Sequence, residues 1–210
     1  MSTFGALSSE ILDHPVDGVN LAAGSLRDQL PAGSPTLLVF LRHLGCIFCR
    51  EMVKDIRRAA EADRAYPPVL FFFQGTPDNG KEFFDQFWPS ARAVADLPRH
   101  FYDAFGLKQG SVGQMFSPRV WLCGLRAVSK GNLQPLAKPI GDPWLMPGCF
   151  LVRDGAILWR HDFLHAGDHP DFTRIPAVAA GLTTDASPLT PGGKGRAAEC
   201  AAPRSPAPSL

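Results

Sequence analysis

Two continuous apolar runs stand out in the hydrophobic pattern of this chain. They cover residues 35–43 (PTLLVFLRH) and 67–75 (PPVLFFFQG), without alternating polar positions. Such runs are typical of central strands covered on both faces of a sheet. Between them, apolar positions recur at helical spacing over residues 49–60. The pattern predicts parallel strands over about 36–42 and 69–74, joined by a right-handed crossover helix.

A hairpin is predicted in the second half of the chain. Residues 148–163 (GCFLVRDGAILWRHDF) hold two strand-like segments around Asp154-Gly155, a strong signal for a tight turn. Other segments predict four helices and one short strand. The helices cover residues 80–88, 98–107, 117–131 and 168–182, and the strand covers residues 92–96. The sum is an α/β chain with a mixed sheet between helices.

Residues 183–210 differ in composition from the rest of the chain. They are rich in Pro, Gly, Ala and Ser and nearly free of large apolar residues. Such a segment buries too little surface to offset the entropy lost on ordering. We therefore predict one domain over residues 1–182 and a disordered tail over residues 183–210.

The charge of the chain gives no sign of a charged macromolecular partner. The formal net charge is +1, and acidic and basic residues are mixed along the sequence. Neither nucleic acid nor an anionic membrane surface is therefore expected as a partner. We see no signal sequence and no apolar stretch of roughly 18 residues, so a membrane span is not expected either. The five cysteines are odd in number and, apart from the pair at 46 and 49, scattered along the chain. This favours a reducing compartment, and we expect a cytoplasmic protein.

Cys46-Ile47-Phe48-Cys49 lies where the first apolar run gives way to the helical pattern. Free backbone N–H groups and the helix dipole stabilise an anion at such a position, and a thiolate is an anion. Cys46, at the start of the helix, is expected to be the more exposed thiol and the better nucleophile. Cys49 follows one turn later, close enough to attack a mixed disulfide formed at Cys46. The spacing suits dithiol–disulfide chemistry.

Other interpretations of the two cysteines remain open. A zinc site would need a second cysteine or histidine pair; His43 gives H-x-x-C-x-x-C, but a ligand just before a helix start is unusual. Haem attachment needs histidine where Arg50 stands. Simple packing explains Cys49 but not Cys46. We predict no metal and no cofactor.

Three segments carry a resemblance to a known family. LLVFLRHLGCIFCREMV, RAVADLPRHFYDAFGL and PGCFLVRDGAILWRHDFLHAGDHPDF resemble peroxiredoxin-like proteins of the alkyl hydroperoxide reductase/thiol-specific antioxidant superfamily. More narrowly, they resemble its C-x-x-C branch, which includes selenoprotein-L-like proteins. The resemblance covers about residues 10–175. It implies a thioredoxin-like three-layer α/β/α sandwich with a mixed sheet.

The resemblance also implies an activity. It suggests an antioxidant thiol oxidoreductase that takes electrons from a thioredoxin- or glutathione-type donor and acts on a disulfide or a peroxide. It leaves the oligomeric state open, with a homodimer among the alternatives. A further interpretation is a non-enzymatic redox-sensing module that presents the 117–131 helix to a partner.

The chain departs from true peroxiredoxins near the cysteines. Those enzymes carry the pattern P-x-x-x-[TS]-x-x-C, which places the hydroxyl residue at Cys46 and the peroxidatic cysteine at Cys49. The missing hydroxyl puts peroxide activation in doubt. The resemblance therefore leaves two alternatives for the first nucleophile. Cys46 attacks first if the site works as in thioredoxins, and Cys49 attacks first if it works as in peroxiredoxins. We favour Cys46, with Cys49 resolving.

Several neighbours are candidates for supporting roles. Arg42, His43 and Arg50 flank the pair and would lower a thiol pKa if charged, although Arg50 also suits a solvated helix face. Gly45 belongs to the G-C-x-x-C-R block on which the resemblance depends. Thioredoxin-fold proteins resemble one another in a cis-proline facing the cysteines. Here Pro147 is the candidate for it, or Gly148 in an alternative alignment. Pro147 could equally be a trans proline that ends a loop before a strand.

A cluster of histidines and aspartates follows the predicted hairpin. It comprises His161, Asp162, His165, Asp168 and His169. A metal site is conceivable there, but we expect His165, Asp168 and His169 to shape the turn into the last helix. The resemblance implies either a structural or a substrate-loop role for them. Asp168 would cap that helix. Cys149, at the start of a predicted strand, is expected to pack in the core.

Overall fold

The computed structural model of the chain describes residues 4–111, 113–114, 118–129 and 140–181. The predicted tail over residues 183–210 and both ends of the predicted 117–131 helix lie outside these ranges.

The described residues form one mixed sheet of six strands. The strands are β1 (Gly18–Val19), β2 (Thr36–Phe40), β3 (Val69–Phe73), β4 (Arg92–Ala95), β5 (Gly148–Arg153) and β6 (Ala156–His161). Their spatial order is β1-β4-β3-β2-β5-β6. Strand β3 pairs in parallel with β2 and β4, whereas the other pairs are antiparallel. The predicted parallel unit and the predicted hairpin are confirmed, and they share one sheet.

Seven α-helices and one short 3₁₀ helix lie in the described ranges. The α-helices are α1 (Ser9–Leu12), α2 (Leu26–Gln29), α3 (Ile47–Ala62), α4 (Pro77–Phe87), α5 (His100–Ala104), α6 (Pro118–Ser129) and α7 (Ile175–Ala179), and the 3₁₀ helix covers Phe172–Arg174. No helix in this part of the chain is both long and apolar enough to cross a bilayer.

Helices cover both faces of the sheet. Along β2, Leu37 and Val39 face one core and Leu38 and Phe40 face the other. The first core also receives apolar side chains from α3, α4, α6 and α7, and the second receives them from α2 and α5. The predicted three-layer α/β/α arrangement is confirmed. It places α3, with both cysteines of the C-x-x-C segment, on the first face.

Local capping explains two differences from the predicted helix starts. Helix α4 begins at Pro77 rather than at residue 80, because the Thr76 hydroxyl accepts the N–H of Asn79 (3.4 Å) and Asn79 Oδ1 accepts the N–H of Thr76 (3.1 Å). Helix α5 begins later than predicted. Its first free N–H groups, on His100 and Phe101, both donate to the Asp96 carboxylate at 2.8 Å.

The last helix is shorter than predicted and has a different cap. Asp171 Oδ1 accepts the N–H of Thr173 at 3.1 Å and starts the 3₁₀ helix. The prediction that Asp168 caps this segment is therefore wrong. Pro176 lies in the first turn of α7, where its missing N–H would have no helical acceptor, and it does not interrupt the helix.

Candidate active site

The C-x-x-C segment begins α3 at the carboxyl end of β2. Cys46 is the N-cap, with extended backbone (φ −76°, ψ 126°), and Cys49 lies in the first helical turn. The N–H of Cys46 donates to the carbonyl of His43 at 3.1 Å. Gly45 lies inside the turn that this hydrogen bond closes. A tight turn after a central strand therefore places one cysteine at the helix start and the other one turn inside.

A buried guanidinium contacts the first cysteine. Arg42 Nη1 lies 3.6 Å from Cys46 Sγ. Arg42 Nε donates to the carbonyl of Leu145 at 3.1 Å, and Nη2 donates to the carbonyl of Pro143. These two carbonyls fix the guanidinium plane, so a positive charge is held beside the sulfur in a site from which water is largely excluded.

The surroundings separate the pKa values of the two thiols. A hydrogen bond from Cys49 is the largest cause that lowers the pKa of Cys46, and the Arg42 charge and the N–H groups of Phe48 and Cys49 add to it. They outweigh burial and lower the pKa of Cys46 to about 6. Burial, together with the hydrogen bond to Cys46, raises the pKa of Cys49 well above its ordinary value. Cys46 is therefore the thiolate at neutral pH.

Both cysteines are buried, whereas the sequence pattern indicated burial only for Cys49. Cys46 is 5% exposed and Cys49 is fully covered. Residues distant in sequence close over the start of α3. The carbonyl of Ile140 accepts the N–H of Leu44 at 3.2 Å, and the backbone of Gly167 lies against the ring of Phe48. Cys46 is the more exposed of the two, as expected, but only by a small margin.

His43 does not supply a charge to the pair. Burial, followed by repulsion from Arg42 and Arg50, lowers the pKa of His43 to about 4. The imidazole is therefore neutral at pH 7. The expectation that His43 would help to lower a thiol pKa through its charge is wrong, and its contribution is the backbone carbonyl that closes the turn.

Arg50 is not on a solvated face of the helix. It is 5% exposed, and its guanidinium lies over the ring of Phe87 in α4, 5.9 Å from the ring centre. The cation–π contact holds Arg50 between α3 and α4. Of the two arginines that flank the cysteines, only Arg42 contacts a sulfur.

The start of β5 has no cis-proline. All peptide bonds in the described ranges are trans, so Pro147 is the trans proline that the sequence left open as the alternative. Gly148 pairs with Phe40 of β2, and an added Cβ would lie 2.8 Å from side-chain atoms of Leu107 and Phe150. Close packing therefore requires glycine there. Cys149 is fully buried opposite Val39, and burial raises the pKa of its thiol, as the predicted core role requires.

The His/Asp cluster forms a loop over the first core. Asp168 Oδ2 accepts the N–H of Leu164 at 2.9 Å and lies 3.4 Å from His161 Nε2. Burial alone would raise the pKa of Asp168, but the contacts with His161 and with the Leu164 N–H outweigh it and lower the pKa. His165 and His169 lie in the same loop. Within the described residues, no group of three or more His, Cys, Asp or Glu side chains is placed to hold a metal ion.

Two structural features were missed in the sequence, one at the site and one at the start of β5. Gln74, the polar residue that follows β3, donates from Nε2 to the carbonyl of Arg42 and accepts the N–H of Asp142 at 3.0 Å. The only sequence signal for this role is the position of the glutamine, directly after an apolar run that predicts a buried strand. The second feature is a cavity of about 340 Å³ at the start of β5, lined in part by Leu107, Lys108, Met146, Pro147, Phe150 and Phe163.

Comparisons with known proteins agree with this fold. The chain matches the family model for the AhpC/TSA antioxidant enzyme over residues 56–163, a segment that begins after the two cysteines. The bacterioferritin comigratory protein of Xanthomonas campestris is similar in structure, with a TM-score of 0.56 at 13% identity, covering 87% of this chain and 100% of that chain. Peroxidoxin BcpB of Mycobacterium tuberculosis gives a TM-score of 0.55 at 13% identity, covering 87% and 99% of the two chains.

A comparison with curated proteins gives no match. The structural likeness confirms the thioredoxin-like fold that the sequence predicts. The family match covers more than half of the chain and includes β3, β4, β5 and β6. The chain therefore belongs to the AhpC/TSA antioxidant enzyme family and is a thiol-dependent oxidoreductase.

Proposed function

We propose that Cys46 and Cys49 form the redox pair of a thiol–disulfide oxidoreductase, with Cys46 as the attacking thiolate and Cys49 as the resolving thiol. The observation that carries the proposal is the 3.6 Å contact between Arg42 Nη1 and Cys46 Sγ at the N-cap of α3. A fixed cation and a helix N-terminus both favour the thiolate, which is the reactive form of cysteine.

The proposed reaction has two exchange steps. The Cys46 thiolate attacks one sulfur of a substrate disulfide, the S–S bond breaks, and the other half leaves as a thiolate. The Cys49 thiol then gives its proton to that thiolate and attacks Cys46 Sγ, which breaks the mixed disulfide and releases the second half of the substrate as a thiolate. This thiolate takes a proton from solvent, so the substrate departs as two thiols and the protein keeps the 46–49 disulfide. A thiol reductant of the thioredoxin or glutathione type would return the pair to its dithiol form.

Family membership favours a peroxide as a second oxidant of the same pair. The Cys46 thiolate would attack one peroxide oxygen and the O–O bond would break. With one proton taken from solvent, Cys46 would become a sulfenic acid and an alcohol, or water in the case of hydrogen peroxide, would leave. Cys49 would then attack the sulfenic sulfur, release water and form the same disulfide. The raised pKa and full burial of Cys49 argue against Cys49 as the first nucleophile.

The test follows the reduced full-length protein after one equivalent of oxidant. Glutathione disulfide and hydrogen peroxide are used in parallel, free thiols are blocked, and digested peptides are examined by mass spectrometry. We expect a 46–49 disulfide with both oxidants, which thioredoxin with its reductase and NADPH reduces again. A stable sulfenate at Cys49 with a free Cys46 would contradict the proposal. Oxidation without catalytic turnover would favour the redox-sensing interpretation instead.

A further inference from the structure

The proposed chemistry raises a question of access. Cys46 is 5% exposed and Cys49 is fully buried, yet a substrate sulfur must reach the Cys46 thiolate in line with its own S–S bond. A segment that covers the start of α3 must therefore move when a substrate binds.

Residues 163–169, which we name the cover loop, contact the C-x-x-C segment directly. A Cβ added to Gly167 would lie 2.9 Å from Cε1 of Phe48, and this shows how closely the loop backbone approaches that ring. Phe48 is the residue between Ile47 and Cys49 in the first turn of α3. The cover loop thus packs on the turn that carries both thiols.

One carboxylate oxygen ties the cover loop to the end of β6. Asp168 Oδ2 accepts the N–H of Leu164, near the start of the loop, at 2.9 Å. The same oxygen lies 3.4 Å from Nε2 of His161, the last residue of β6. These two side chains are 10% and 2% exposed, so the contact is screened from solvent.

The cover loop also makes ring and backbone contacts. The rings of Phe163 and His161 pack edge to face, with their centres 4.5 Å apart. The N–H of Asp168 donates to the carbonyl of His165 at 3.0 Å, and the N–H of Ala166 donates to the carbonyl of Gln114 at 3.1 Å. The charged groups at this end of β6 are Arg160 and Asp162, which pair with each other at 3.1 Å on the exposed side. Asp168 is therefore the charged group of the cover loop that faces His161.

We propose that His161 and Asp168 are positioning residues that latch the cover loop over Phe48 and so limit the access of substrates to Cys46. Removing one partner leaves the other buried without its counterpart, which favours opening of the loop. The inference rests on the proposed role of Cys46 but concerns residues that touch neither thiol.

The test measures the alkylation rate of each cysteine by iodoacetamide in the reduced full-length protein. Asp168→Asn keeps an oxygen for the Leu164 N–H but removes the charge that faces His161, and His161→Gln removes the other partner. Asp162→Asn is the matched control, because Asp162 is exposed and pairs only with Arg160 among the described residues. We expect Cys46 to react about tenfold faster in both latch variants than in the control.

Two further readouts separate a latch from general destabilisation. The pH midpoint of Cys46 alkylation should stay unchanged, because Arg42 and the helix N-terminus are intact, and Cys149 should stay unreactive. A rate within twofold of the control in both variants, or parallel labelling of Cys149, would overturn the latch. If peptide mapping finds Cys49 alkylated instead of Cys46, the proposed function fails, while the ratio between variant and control still reports on the latch.

Discussion

Arg42 Nη1 lies 3.6 Å from Cys46 Sγ, and the two residues flank the tight turn between β2 and α3. The carbonyl of Leu145, 103 residues later in the chain, holds the guanidinium in this position. The central strand, the helix start and the segment before β5 therefore converge on one sulfur. This convergence distinguishes Cys46 from Cys49 more clearly than their spacing in the sequence does.

The Arg42 charge can be removed by Arg42→Met. Loss of a buried opposite charge should raise the pKa of Cys46 by roughly one unit or more. The measurement is the pH dependence of Cys46 alkylation in the reduced protein. Arg50→Met is the control, because Arg50 is equally buried but lies over Phe87, and its profile should match that of the parent. Identical profiles for the two variants would show that Arg42 does not tune the thiol.

The lowered pKa of Cys46 also makes stability depend on pH. The folded reduced protein loses this proton near pH 6, whereas an unfolded cysteine keeps it until about 8.5. Between these values the unfolded state binds the extra proton, so the free energy of unfolding rises with pH. The stabilisation is complete above the pKa of Cys46 in the unfolded state, and it disappears as the pH falls through the pKa of Cys46 in the folded state. Its size is about 3 kcal/mol.

Urea unfolding of the reduced protein and of Cys46→Ser, at several pH values in this window, measures the effect. The difference between the two should grow from pH 6 to about 8.5. Cys149→Ala should keep the slope of the parent, because Cys149 stays protonated throughout. A constant difference across the window would mean that Cys46 is not a thiolate in the folded protein.

Local sequence pattern predicts the frame of the fold but not the closure of the site. Strands β2 and β3 were found within two residues of their ends, because continuous apolar runs mark strands covered on both faces. Strand β1 and helix α2 were not predicted. They have only two and four residues, which is too short for an alternating or helical pattern of apolar positions to be recognised. The position of Cys46 at the helix start also followed from local pattern.

The burial of the cysteines depends on contacts between distant residues. Leu145 anchors Arg42, and Gly167 covers Phe48, at separations that no local pattern records. The wrong prediction that Asp168 caps the last helix has a similar cause. Asp168 and Asp171 both precede the last helix, and only the folded chain shows that one faces His161 while the other caps the 3₁₀ helix.

Two glycines in helices should respond oppositely to alanine. In α4, a Cβ at Gly80 would lie 2.2 Å from Cζ of the buried Phe73, so Gly80→Ala should destabilise the protein by roughly 1–3 kcal/mol. In α6, Gly124 has nothing within 4 Å of an added Cβ, so Gly124→Ala should stabilise by up to about 1 kcal/mol through helix propensity. Denaturant unfolding measures both. Equal effects of the two substitutions would contradict the packing of α4 on β3.

The tail over residues 183–210 should be dispensable, because its composition supplies no core. A chain ending at residue 182 should keep the melting temperature and the Cys46 alkylation rate of the full-length protein. Differential scanning calorimetry and thiol labelling check the two quantities. A clear loss of melting temperature on truncation would show that the tail docks on the domain.

The most direct test of the account is the fate of a mixed disulfide in single-cysteine variants. In Cys49→Ser, the thiolate of Cys46 should attack glutathione disulfide and remain bound to glutathione, because no thiol is left to resolve the adduct. Cys46→Ser should form little adduct, because the remaining Cys49 is fully buried and its pKa is raised. Intact-protein mass spectrometry with peptide mapping measures both. A glutathione adduct that accumulates at Cys46 in Cys49→Ser alone supports the assignment, and faster adduct formation at Cys49 in Cys46→Ser would contradict it.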